Sequence, residues 1–255
     1  MLLLLFAVPL VALALYTFTQ GGGSDVLLSQ AVLQATGLSL VTSIATALMV
    51  AVLGTPLAYW LGRYRFRLRT ALSILIELPI VMPPVVAGLA LLIAFGRRGL
   101  LGPPLEVIGI ELPFTTTAVV IAQLFVAAPY YVRTAQIAFQ SIPREMEQAA
   151  SIDGADGLRL FWYVMLPLAL RGLTAGLVLS WARALGEFGA TILFAGNLQG
   201  RTQTMPLLVY GALESNFGAA LWAGLLLIGM AIVALALARW LSRSIEDEAD
   251  QREWI

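Results

Sequence analysis

Gln140-Ser141-Ile142-Pro143-Arg144-Glu145-Met146-Glu147-Gln148-Ala149-Ala150-Ser151-Ile152-Asp153-Gly154-Ala155-Asp156-Gly157, running on to Leu166-Pro167, is the least membrane-like long segment of an otherwise apolar chain. It reads as a short helix with marked ends. Ser141 is placed to N-cap it, and Pro143 sits in its first turn, where a missing N–H costs nothing. Glu145 and Glu147 suit the positive end of the helix dipole. Met146, Ala149, Ala150 and Asp153 fall on one helical face. Gly154 is expected to take the left-handed conformation that stops the helix. Asp156 then caps a second short helix, which Pro167 ends. A helix lying on lipid would carry Lys or Arg flanks and large apolar anchors. Acids and alanines instead favour seating in the groove of a protein partner.

The rest of the chain belongs in a bilayer. Of 255 residues, 60% are hydrophobic and 12% charged, and the mean hydropathy is +0.88. A soluble domain carries about 25% charged residues. A spanning helix needs roughly 20 apolar residues, and six candidates follow: Leu2 to Phe18, about Leu38 to Leu61, Ala71 to Phe95, about Phe114 to Arg133, Leu168 to about Leu185, and Phe217 to Leu241. Gln20-Gly21-Gly22-Gly23-Ser24 ends the first, and Pro79, Pro83 and Pro84 interrupt the third. The first has the length of a signal peptide but no basic n-region, and with five spans after it, it is read as a retained helix. The expectation is an all-α, polytopic membrane protein. Residues 1–255 form one transmembrane domain, with a first helix over 2–18, core helices over about 38–241 and a cytoplasmic segment over 141–166.

All fifteen basic residues are Arg, and they balance fifteen acids. No overall field favours nucleic acid. Arg63, Arg65, Arg67 and Arg69 crowd the turn between the second and third spans, Arg144 and Arg159 lie between the fourth and fifth, and Arg239, Arg243 and Arg252 stand at the end of the sixth. The opposite loops hold only Arg97, Arg98 and Arg201. Basic loops stay inside, so both termini and the 141–166 segment are expected in the cytoplasm. The acidic run Glu246-Asp247-Glu248-Ala249-Asp250 carries little weight in that rule. The absence of Cys, His and Lys removes thiolate chemistry, the commonest general base and metal ligand, and the Walker A lysine. No catalytic residue and no metal site are expected, and any ATP used is hydrolysed by another chain.

Gln148-Ala149-Ala150, then Gly154, then Leu166-Pro167 resembles the EAA loop of the membrane subunits of type I ABC importers (the MetI-like permease fold). The family's leading Glu is replaced by Gln148, with Glu147 just before it. The resemblance implies that this segment is a coupling helix seated in a cleft of a cytoplasmic ATPase, with Glu147, Gln148, Ala149, Ala150, Asp153, Gly154, Leu166 and Pro167 as the coupling residues. Ala182-Arg183-Ala184-Leu185-Gly186-Glu187-Phe188-Gly189-Ala190-Thr191, with Ala195-Gly196-Asn197, is similar to permeases for tetrahedral oxyanions. So is Leu78-Pro79-Ile80-Val81-Met82-Pro83-Pro84-Val85-Val86-Ala87-Gly88. Gly200-Arg201-Thr202-Gln203-Thr204-Met205-Pro206-Leu207 looks more like the molybdate branch than the sulfate branch. The family implies a periplasmic oxyanion-binding protein, a second permease copy and an ATPase dimer that holds ATP and Mg. This chain itself would hold no cofactor.

Pro83, Pro84, Gly88, Arg183 and Glu187 are the translocation-pathway candidates. The prolines free carbonyls that need partners or water, which suits a broken pore element or simple curvature. Gly88 allows close helix approach. Arg183 and Glu187 stand four apart and are expected to share a helical face. Either Arg183 attracts an oxyanion that Glu187 gates, or the pair merely neutralises itself, which is the favoured reading. Glu77, about 12 Å along its helix from Arg69, falls near the inner interface. The alternatives are a sulfate or thiosulfate ABC permease, an ion-coupled secondary transporter and a membrane-embedded hydrolase. The secondary transporter finds thin support in Glu77, and the hydrolase lacks a clustered nucleophile and base.

Overall fold

Hydropathy dictates helices here, because in hydrocarbon a backbone can satisfy its polar groups only internally. The computed structural model describes the backbone of residues 1–20 and 23–252, and the side chains of those residues except 20, 24 and 238–252. Among the described residues there is no strand. In chain order the helices are α1 (Leu2–Gln20), α2 (Gly23–Leu27), α3 (Gln30–Arg63), α4 (Arg69–Val81), α5 (Pro84–Phe95), α6 (Gly102–Val107), α7 (Thr116–Ser141), α8 (Arg144–Ile152), α9 (Gly157–Leu160), α10 (Leu166–Leu185), α11 (Gly189–Phe194), α12 (Met205–Ser215) and α13 (Phe217–Arg252). A π-helical turn, Phe161–Met165, joins α9 to α10. Among the described residues five stretches are long and apolar enough to cross a membrane, or six if the broken pair α4 and α5 is counted as one span. The turn around Gly21 and Gly22 lies outside the described residues, as do the side chains of Arg239, Arg243, Arg252 and the 246–250 run.

The spans differ from the sequence expectation at their ends. The second starts at Gln30 instead of Leu38. The fourth starts at Thr116, where Thr115 Oγ1 accepts the N–H of Ala118 at 3.2 Å, and continues past Arg133 to Ser141. Ser141 therefore closes α7 and does not N-cap α8. Its hydroxyl donates back to the carbonyl of Ala138 at 2.8 Å. Pro143, extended at φ −58° and ψ 141°, takes the N-cap position.

Nor does Pro167 end a helix. It follows the π-helical turn, whose wider winding pairs the Leu166 N–H with the Phe161 carbonyl five residues back. Such a turn accommodates a residue that has no N–H to give.

The break in the third span is built by proline. Met82 precedes Pro83 and is pushed to extended backbone, φ −67° and ψ 134°. Pro84 then opens α5 at a position whose N–H has no helical partner anyway.

The chain folds into two compact units. One comprises Met1–Ile44, Pro84–Gln123 and Leu185–Val233. Val32, Ala35, Met205, Leu208 and Ala223 form a core there. Ser39 Oγ accepts the Met205 N–H at 2.8 Å, satisfying a donor at the start of α12.

The other unit comprises Ala45–Pro83, Leu124–Ala184 and Ala234–Ile255. Its core joins Val50, Ala58 and Leu61 of α3, Tyr131, Ala135 and Phe139 of α7, and Met165, Ala169 and Leu173 around the start of α10. Small residues bring these helices close. A Cβ on Gly62 would stand 3.2 Å from the Gln136 carbonyl, and one on Gly172 would strike the Ala138 methyl. Thr55 and Tyr131 share a 2.6 Å hydrogen bond between α3 and α7.

Candidate functional site

α8 stands out in the second unit because none of its residues is fully buried. Its C-terminus is a Schellman motif. Gly154 sits at φ +86°, its N–H reaches the Ser151 carbonyl at 3.1 Å, and the Ala155 N–H reaches the Ala150 carbonyl at 2.9 Å. Gly154 thus takes the left-handed position expected of it. Asp156 precedes α9 as its N-cap residue, but no side-chain bond caps that helix.

The face expected to be uniform is divided. Ala150 turns inward and packs against the unit's core. Met146, Gln148, Ala149, Ile152 and Asp153 are exposed, Ile152 at 86%. Leu158 and Tyr163, just beyond, are also exposed. On α8 itself the large exposed apolar side chains are Met146 and Ile152, set among the exposed polar residues Arg144, Glu145, Gln148 and Ser151. Leu166 is half-buried and Pro167 exposed.

Glu147 points the other way. Its carboxylate forms an ion pair with Arg63, the last residue of α3. The Arg63 guanidinium also donates to the Ile142 carbonyl at 2.9 Å and the Phe139 carbonyl at 3.2 Å. The Arg63 side chain is only 6% exposed and that of Glu147 28%. The positive-inside count treated Arg63 as one of four equivalent arginines. The available signal was its place at the very end of a span, where its carbons stay in the apolar layer.

The pathway candidates Pro84, Gly88 and Glu187 come together in the first unit. A Cβ on Gly88 would stand 2.7 Å from the Ala190 carbonyl oxygen, and one on Gly189 would stand 2.6 Å from Pro84 Cβ. So α5 and α11 touch backbone to backbone through glycine. Glu187 is 1% exposed. Its Oε1 accepts the Ala190 N–H at 2.7 Å, in the first turn of α11. Because α10 ends at Leu185, Arg183 and Glu187 do not share one helical face, which corrects that expectation. Pro83 is the exposed residue between α4 and α5.

The stretch that separated molybdate-like from sulfate-like permeases is a self-tied loop. Thr202 Oγ1 accepts the Leu198 N–H at 3.0 Å and donates to the Gly196 carbonyl at 3.3 Å. Gln203 donates to Asn197 at 2.9 Å, and Asn197 donates to the Leu207 carbonyl at 3.3 Å. Gly196 and Gly200 have φ of +74° and +72°. In a second loop of the same unit, Glu111 and Arg97 pair at 2.8 Å, which holds the exposed guanidinium more firmly protonated. Among the described residues no group of three or more acids could hold a metal ion.

Comparison with known proteins places this geometry. The model of the family described as binding-protein-dependent transport system inner membrane component matches residues 54–247. The chain is 46% identical over 198 residues to the molybdenum transport system permease protein ModB of Mycobacterium tuberculosis, covering 78% of this chain and 75% of that one. It is 37% identical over 219 residues to the protein of the same description in Escherichia coli, covering 85% and 96%. Its fold is similar to that of a bacterial alginate ABC transporter solved with an alginate pentasaccharide-bound periplasmic protein, at TM-score 0.77 and 18% identity, over 93% of this chain and 88% of the other. The fold is that of an ABC importer permease. With that family match and relatives aligned over most of their length, the chain belongs to the binding-protein-dependent transport system inner membrane components, as a multi-pass inner-membrane permease.

Proposed function

We propose that the chain is the membrane-spanning subunit of an ABC importer that moves molybdate, with tungstate as a close analogue. An oxyanion-binding protein delivers the anion from the periplasm, a second copy of the chain completes the pathway, and a separate ATPase dimer holds ATP and Mg and supplies the energy. The exposed helix α8, stopped by Gly154 at φ +86°, carries this reading: it offers a surface of fixed length on which Met146, Gln148, Ala149 and Ile152 are exposed while Ala150 and Glu147 tie it to its own unit. Relatives at 46% and 37% identity that are described as molybdenum permeases favour molybdate over sulfate or thiosulfate.

The mechanism needs no catalytic residue. Closure of the ATPase dimer would draw the two α8 helices together, opening the outer side and closing the inner side. Both termini would lie in the cytoplasm, with the arginines at Arg63, Arg65, Arg67 and Arg69 on the same side. Glu187, tied to a backbone N–H, supports α11 here and does not clamp the anion. Weak contacts along the path favour release.

The reconstituted complex tests the substrate. With the binding protein present, molybdate and tungstate are expected to stimulate ATP hydrolysis and sulfate is not. Stimulation by sulfate alone would sink the molybdate assignment.

A further inference from the structure

We propose that Arg63 is a positioning residue that transmits the movement of α8 to two spans at once. This rests on the reading of α8 as the ATPase-coupling helix and identifies the bonds through which it acts. Arg63 terminates α3. Its guanidinium donates to the carbonyl of Phe139, one of the last four of α7 and so without a helical partner. It also donates to the carbonyl of Ile142, in the link between α7 and α8. The same group pairs with Glu147 in the first turn of α8. One planar cation therefore joins the end of α3, the end of α7 and the start of α8.

The chemistry calls for arginine. A guanidinium presents several donors in a fixed fork, so one side chain can hold a carboxylate and two carbonyls in set directions. An ammonium has three donors but only one nitrogen, so it reproduces less well an arrangement in which Nη1 serves the two carbonyls and Nη2 the carboxylate. The guanidinium side of the pair is shielded from water, with only 6% of the Arg63 side chain exposed, while the Glu147 side chain is 28% exposed. The aromatic rings of Tyr59, Phe139 and Phe161 pack together in the same unit, with Tyr59 at 5.3 Å and 4.9 Å from the other two. Without Arg63, α8 would keep its own helical bonds and its Schellman stop. It would lose its bonded connection to the spans, and a push on α8 would be absorbed in the link at Ile142 and Pro143.

The test uses permease, ATPase and binding protein together in proteoliposomes, with the chain unsubstituted or carrying Arg63→Gln, Arg63→Lys or Glu147→Gln. The readout is oxyanion taken up per ATP hydrolysed. Arg63→Gln is expected to lower that ratio by about tenfold, while the ATPase still co-purifies and hydrolyses ATP. Arg63→Lys should fall between, and Glu147→Gln should lose less, since its amide oxygen still accepts from Arg63. A second arm needs no substrate. The chain has no Cys, so Ser151→Cys and Arg67→Cys take spin labels at two exposed sites, and mixing with excess unlabelled chain leaves one labelled pair per complex. The distance distribution between them is expected to be narrow in the parent chain, broad with Arg63→Gln and intermediate with Arg63→Lys. An unchanged ratio and an unchanged distribution with Arg63→Gln would overturn the proposal. So would equal losses for Lys and Gln with the ATPase no longer co-purifying, because Arg63 would then serve folding alone. If the unsubstituted complex takes up no oxyanion, the functional reading fails, and the spin-label arm still decides whether Arg63 sets the place of α8.

Discussion

Gly88 and Ala190 meet so closely that a methyl group on Gly88 would stand 2.7 Å from the Ala190 carbonyl oxygen and 2.9 Å from its Cα. Both obstacles are backbone, so neither can rotate away. Gly88→Ala is expected to destabilise the protein by about 1–3 kcal/mol, the usual range for overpacking. A larger loss is expected from Gly88→Leu. Thermal unfolding of the purified permease checks this. A melting temperature unchanged by Gly88→Ala would show that α5 and α11 are not packed as described.

Gly154 is a different case. No heavy atom lies within 4 Å of where its Cβ would be, but its φ is +86°. Bulk is therefore harmless, and backbone sign is what matters. Gly154→Val should cost about 1–2 kcal/mol of local stability, while Gly154→Asn should be nearly neutral, because Asn tolerates the left-handed region. Uptake per ATP should fall for Val and hold for Asn. Equal uptake by the two variants would remove the conformational argument.

Glu187 separates a structural role from a gating one. Its Oε1 accepts the Ala190 N–H at 2.7 Å in a site that is 1% exposed. Glu187→Ala leaves that buried donor without its carboxylate and should cost roughly 1–3 kcal/mol. Glu187→Gln keeps an acceptor oxygen for the Ala190 N–H and should lose less than Glu187→Ala in both melting temperature and uptake. A Gln variant that melts normally but transports nothing would make the charge itself part of the pathway.

Some of this was written plainly in the chain and some was not. Runs of Leu, Val and Ala announce the spans, because burial in lipid needs only composition. Met82-Pro83-Pro84 announces the break, and Gly154 the end of α8, because proline and glycine act on their own backbone. Ser141 misled for the opposite reason: a good capping side chain says nothing about whether the preceding helix has ended, and α7 runs through it. Pro167 misled because a π-helical turn before it absorbs the missing donor. Arg63 and Glu147 are 84 positions apart, and no local pattern records that they meet. Arg183 and Glu187 had helical spacing, but the helix stops at Leu185 between them.

Ala149 tests the docking face. It is exposed in the middle of α8 and packs on nothing in the unit's core. Ala149→Trp should leave melting within about 0.5 kcal/mol of the parent, as for other surface changes, and should abolish co-purification of the ATPase. Full retention of the ATPase by this variant would mean that the partner binds elsewhere.

The most direct measurement is uptake of labelled molybdate by proteoliposomes that hold the permease with its binding protein. It is made with and without the ATPase and ATP, and under imposed proton and sodium gradients. Uptake is expected only when ATPase and ATP are both present on the face where α8 lies, and it should ignore the gradients. Gradient-driven uptake in the absence of the ATPase would contradict the assignment and make the chain a secondary transporter.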